Sequence, residues 1–108
     1  LKEFEVFKKE FTKYQNLFGL NGYSIYFEES DCDGDNGDIA YTEDNVGVTV
    51  RFNSSHHKER PCKLIAKHEA IHLLLWDLTR HAMKRYTDRS EIDRANEMTA
   101  FKLEKLIP

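Results

Sequence analysis

The sequence predicts an α+β domain, with one helix, a small three-stranded and mostly antiparallel sheet, and two further helices. Two observations carry that reading. Apolar residues recur every three or four positions at both ends of the chain and every second position in the middle. The chain has 108 residues, enough for one layered core and too few for two.

The first helix spans Leu1 to Phe18. Phe4, Phe7, Phe11, Tyr14 and Phe18 form its apolar stripe, with Lys and Glu between them, a pattern of core packing rather than of a ligand groove. Gly19 and Gly22 then turn the chain. Three segments alternate with period two. Tyr23, Ile25 and Phe27 share a face of the first, Ile39 and Tyr41 of the second, and Val46, Val48, Val50 and Phe52 of the third. Glu43-Asp44-Asn45 is a polar link suited to a hairpin. The polar stretch from Asn53 to Arg60 reads as a loop. Pro61 suits the first turn of a helix running from about Cys62 to at least Leu78, and as far as Tyr86 at most. Ser90 with Asp93 resembles a capping box for a last helix ending near Ile107.

Composition narrows the function. Hydrophobic residues make up 40% and charged residues 32%, with a net charge of −3. That is an ordinary globular mixture, and its mild acidity argues against a non-specific nucleic-acid partner. No apolar run reaches membrane length and no signal peptide is visible, so a cytoplasmic setting without a membrane partner is expected. Cys32 and Cys62 do not form C-x-x-C and read as free thiols.

The informative motif is His68-Glu69-x-x-His72. Residues four apart lie one turn above each other on one helix face, so two imidazoles can meet one metal ion. Glu69 projects beside that ion rather than onto it, placed to take a proton from an attacking water. The surrounding Leu64, Ile65, Ile71, Leu74, Leu75 and Leu78 make the helix largely apolar. Polar groups buried there need partners, and a metal satisfies them.

A catalytic zinc site needs a third protein ligand and one open position. His81, Asp77, Asp88, Glu91, Asp93, Glu97 and Glu104 all follow His72. Asp77 lies on another side of the same helix. His81 would extend the motif along the chain, but residues 73 to 80 contain no Gly to turn it. The last helix is the better source. Glu97 is central, with Ala100 and Phe101 three and four residues on, and ranks first. Glu91, near the helix start, ranks second, and Glu104 lies close to the end.

The stretch from His68 onward resembles minimal zincins of the H-E-x-x-H…E kind, including phage- and plasmid-borne proteins and the ImmA/IrrE family. In that family a later segment is similar to E-A-N-x-F-A-x-x-L-L-M-P. The run from Glu97 to Pro108 keeps the Glu, Phe101, one Leu and the terminal Pro in register, with Met98-Thr99 replacing the Ala-Asn pair. Ala95-Asn96 offers such a pair earlier, and using it moves the ligand towards Glu91. The resemblance covers the C-terminal half; the first half matches in its order of elements. It implies Zn2+, a single zincin-like domain over residues 1–108 and peptidase ancestry.

The remaining features are read more plainly. The run from Asp31 to Asp38 begins like a calcium loop, but Asn36 stands where Gly is required and Thr42 where Glu is expected, so it reads as an acidic hairpin loop. His56-His57 reads as an incidental surface pair, Trp76 as core, and Arg80, Lys84, Arg85 and Arg89 as a solvated basic side. His81 and Tyr86 are candidate donors to an oxyanion. The expected activity is peptide-bond hydrolysis of a peptide or protein substrate, with His68, His72 and Glu97 on zinc and Glu69 as general base. The alternative is a zinc-stabilised binding or regulatory module without turnover.

Overall fold

The computed structural model describes residues 2–44, 46–55, 60–83 and 88–108. The element order is α1 (Glu3–Leu17), β1 (Ser24–Glu29), a short 3-10 turn (Cys32–Gly34), β2 (Gly37–Tyr41), β3 (Gly47–Phe52), α2 (Cys62–Ala82) and α3 (Arg89–Leu106). This is the α-β-β-β-α-α order expected of the chain. No helix among the described residues is long and apolar enough to cross a membrane.

Helix α1 buries Phe7, Phe11 and Tyr14, the middle of its aromatic stripe. Its C-terminus is a Schellman turn. The Leu20 N–H donates to the Gln15 carbonyl and the Gly19 N–H to that of Asn16. Gly19 takes φ +72°, a conformation that costs glycine little because it has no Cβ.

The sheet is mixed, in the order β1-β3-β2. Strand direction alternates along the chain, but β3 lies in the middle, so β1 and β3 run parallel while β2 and β3 form the antiparallel hairpin. The acidic segment from Asp31 to Asp38 is therefore a crossover between two outer strands, not the hairpin loop expected. Buried Asn53 fastens it, donating from Nδ2 to the carbonyls of Asp31 (2.9 Å) and Asp35 (3.0 Å). Val48, Val50 and Phe52 of β3 are fully buried. They meet Tyr41, Ile39 and Gly37 on one side and Ile25, Phe27 and Glu29 on the other. One sheet face thus carries the period-two residues into the core. On the other face, Arg51 holds Asp38 with a two-pronged ion pair, Nε–Oδ1 at 2.6 Å and Nη2–Oδ2 at 2.5 Å.

Helix α2 serves three neighbours because its sequence carries three stripes. Ile65, Ala66, Ala70 and Leu73 join the core formed with α1 and β3. Glu69 and Trp76, seven residues apart, turn towards β2. His68, His72 and Thr79 turn towards α3. Pro61 caps the helix from outside, with ψ 145°, one position earlier than a first-turn proline. Helix α3 is capped by Asp88, whose side chain accepts from the Ser90 N–H at 3.0 Å. The capping residue therefore precedes the Ser90 expected in that role, because a carboxylate two residues before an N–H reaches it directly.

Candidate metal centre

The cleft bounded by β2, α2 and α3 has a volume of about 870 Å3, and His68, Glu69, His72, Asn96 and Glu97 line it. Its centre holds three converging donors. His68 Nε2 lies 2.6 Å from Glu97 Oε1 and 3.0 Å from His72 Nε2, and His72 Nε2 lies 3.1 Å from Glu97 Oε2. Helix α2 supplies the histidines one turn apart, and α3 crosses so that its middle presents Glu97. Among the described residues this trio is the one group of three such side chains whose donor atoms gather within 4.8 Å.

The far side of each imidazole is fastened. His68 Nδ1 is 2.7 Å from Glu104 Oε2. Arg60 Nη2 donates to both oxygens of the same carboxylate, at 3.0 and 2.9 Å. His72 Nδ1 is bonded to Asn96 Oδ1. Asn96 Nδ2 donates to Thr79 Oγ1 at 2.5 Å, and Thr79 Oγ1 donates to the Leu75 carbonyl at 2.9 Å. These bonds assign the tautomers. Glu104 and Asn96 Oδ1 are acceptors, so each Nδ1 carries a proton, and each Nε2 is the atom that faces Glu97 across the cleft.

Electrostatics follow the same geometry. Burial pulls the His68 imidazole down, but its bonds to Glu97 and Glu104 outweigh that, and its pKa lies above the ordinary value. His72 is likewise raised, with Glu97 and Glu69 overcoming burial. Glu97 is held well below the usual carboxylate range by its bonds to the two histidines. Glu69 is pushed up to about 7, first by burial, against the lowering pull of His72 and His68. It accepts no hydrogen bond from a side chain among the described residues.

The donor set fits a divalent metal. Two imidazole nitrogens and a carboxylate form a common catalytic zinc ligand set. Their separations of 2.6–3.1 Å approach the ~3.3 Å between ligand atoms around a tetrahedral zinc. The bonds from Nδ1 to Glu104 and Asn96 are the outer support that metal-bound histidines need.

The structure brings together His68, Glu69, His72 and Glu97 as expected. It does not bring Glu91, which sits exposed in the first turn of α3 and does not line the cleft. His81 is exposed, 3.8 Å from Asp77, and also outside the cleft lining. Tyr86, His56, His57, Lys84 and Arg85 lie outside the described residues. Arg80 pairs with Asp77 at 2.6 Å, and Arg89 with Asp93 at 3.7 Å. Trp76 is half-buried and walls the cleft instead of filling the core, stacked on Tyr41 at 3.7 Å and 6°.

Nothing in the sequence marks Arg60, Asn96 and Thr79 as part of the site, and Glu104 stands out there only as a possible ligand. A faint signal existed. Glu97 and Glu104 are seven apart on one helix face, with Ala100 and Phe101 between them, matching the spacing of a single stripe.

The chain matches no family model, and no curated protein or solved structure is significantly similar to it.

Proposed function

We propose that this protein is a zinc-dependent peptidase. The observation that carries the reading is the convergence of His68 Nε2, His72 Nε2 and Glu97 within 4.8 Å, with buried Glu69 in the same cleft. The resemblance of this stretch to minimal zincins points the same way. Zinc, if held by these three residues, would supply Lewis acidity to polarise a substrate carbonyl and acidify water.

The chain's own residues account for the rest. Glu69 takes a proton from the attacking water as its oxygen adds to the carbonyl carbon. The C–N bond then breaks and Glu69 returns the proton to the leaving amine. Its raised pKa suits a base that must also act as an acid near neutrality. Strand β2 is an edge strand beside the cleft. Thr42 N–H donates to the Gly47 carbonyl, and Asn53 N–H to that of Asn36. Pairing alternates along an antiparallel ladder. The main-chain groups of Gly37, Ile39 and Tyr41 therefore face away from β3, free to pair with an extended substrate.

The decisive experiment compares wild type with Glu69→Gln, both loaded with zinc, on an unfolded protein substrate. The variant is expected to keep its zinc and lose cleavage. Undiminished turnover in that variant would sink the assignment.

One observation favours a second reading, a zinc-stabilised module without turnover. Only Ala100 and Glu104 of α3 are buried, so its polar bonds to His68 and His72 are prominent in holding it to α2. On that reading, zinc removal detaches α3, and neither wild type nor variant cuts any peptide.

A further inference from the structure

The cleft continues past His72 to a pair of aromatic rings that the metal centre does not use. Trp76 lies one turn beyond His72 and stacks flat on Tyr41, with centroids 3.7 Å apart and planes within 6°. Both rings line the cleft, with Ile39 and Met83 beside them. Neither ring is fully buried. Stacked rings with this much apolar area usually close over a core; here they form an open wall.

We propose that the Tyr41–Trp76 wall is a subsite that selects a large apolar or aromatic side chain of a bound peptide. The inference rests on reading the cleft as a peptide groove. Geometry then assigns the position. Residues directly opposite on neighbouring strands point to the same sheet face. A peptide residue paired with Tyr41 therefore turns its side chain to the face that Tyr41 shares with Trp76. Trp76 is about six residues along α2 from the midpoint of His68 and His72, roughly 9 Å at the helical rise. An extended chain covers that in about two to three residues. The subsite thus reads the second or third residue from the scissile bond, on one side only.

Trp76 is the sole tryptophan of the chain, so the wall carries its own probe. Zinc-loaded Glu69→Gln protein is titrated with a Lys-flanked peptide bearing Phe at alternate positions, and with its all-Ala counterpart. The Phe peptide is expected to shift Trp76 emission and to bind at least about tenfold tighter, a margin of about 1.4 kcal/mol. Equal binding of the two peptides, or binding that leaves the emission unmoved, overturns the subsite. In parallel, zinc-loaded wild type digests an unfolded protein and the cut sites are read by mass spectrometry. Enrichment of Phe, Tyr, Leu or Met two or three residues from the cut, lost in Trp76→Ala, supports the subsite. Cleavage without that preference overturns the subsite and leaves the peptidase reading standing. Absence of any cleavage overturns the peptidase reading, and the titration then decides the subsite alone.

Discussion

His68 Nδ1 and Glu104 Oε2 lie 2.7 Å apart, joining the zinc-motif helix to the end of α3. Glu104 is itself buried and held by Arg60. The pair orients the imidazole so that Nε2 meets Glu97. Replacing Glu104 by Ala is expected to weaken zinc binding about 10- to 100-fold and to leave Arg60 without its partner. Glu104→Gln, which keeps an acceptor oxygen, is expected to lose less. Competition against a chelator of known affinity measures both.

The proposed third ligand is separable from its runner-up. Glu97→Ala is expected to lose stoichiometric zinc, whereas Glu91→Ala keeps it, because Glu91 is exposed outside the cleft. Metal analysis of the two purified variants beside wild type distinguishes them. Zinc retained by Glu97→Ala and lost by Glu91→Ala would reverse the ranking.

The metal-free protein should lose stability as pH rises. Glu69 moves from an ordinary 4.5 up to about 7, and His68 and His72 also lie above their ordinary 6.5. A group whose folded pKa is raised stabilises fully below its unfolded value and loses that contribution as pH passes the folded value. All three act in the same direction. Glu97, whose pKa is lowered, acts oppositely, its contribution present above 4.5 and lost as pH falls below it. Chelator-treated protein is therefore expected to melt lower at pH 8 than at pH 6. Added zinc restores the melting temperature most at the higher pH, where protons no longer compete for the imidazoles.

Gly37 sits where β2 meets α2. A Cβ there would come within 3.0 Å of the Arg51 carbonyl and 3.1 Å of Ile65 Cγ2, with Glu69 Cγ at 3.6 Å. Gly37→Ala is expected to cost about 1–3 kcal/mol of stability. Its effect on turnover should be small, because 3.6 Å from Glu69 Cγ is ordinary van der Waals contact. Denaturant melts and a peptide-cleavage assay read the two effects.

The thiols should be quiet. Burial pushes the Cys32 thiol up to about 11, with Asp38 adding to the shift, and burial also raises Cys62. The thiolate is the reactive form. Folded protein at pH 8 is expected to take up iodoacetamide far more slowly than urea-unfolded protein, by mass spectrometry.

The sequence by itself determined what local spacing controls. The aromatic stripe of α1, the period-two strands and the i, i+4 histidines each follow from one element's geometry, and each occurs where its period predicts, except that Val46 precedes β3 and is exposed. Glu97 was legible because it adjoins the apolar face of α3. What only the tertiary structure decided depends on which elements are neighbours. That β3 lies between β1 and β2 makes the sheet mixed, and alternation within strands carries no information about their spatial order. The pairing of His68 with Glu104 and of His72 with Asn96 joins residues 36 and 24 positions apart, and depends on how α3 crosses α2. Trp76 is apolar enough for a core, yet it lines the cleft because Tyr41 on the edge strand meets it there. Periodicity tells which side of an element is buried; packing decides what it is buried against.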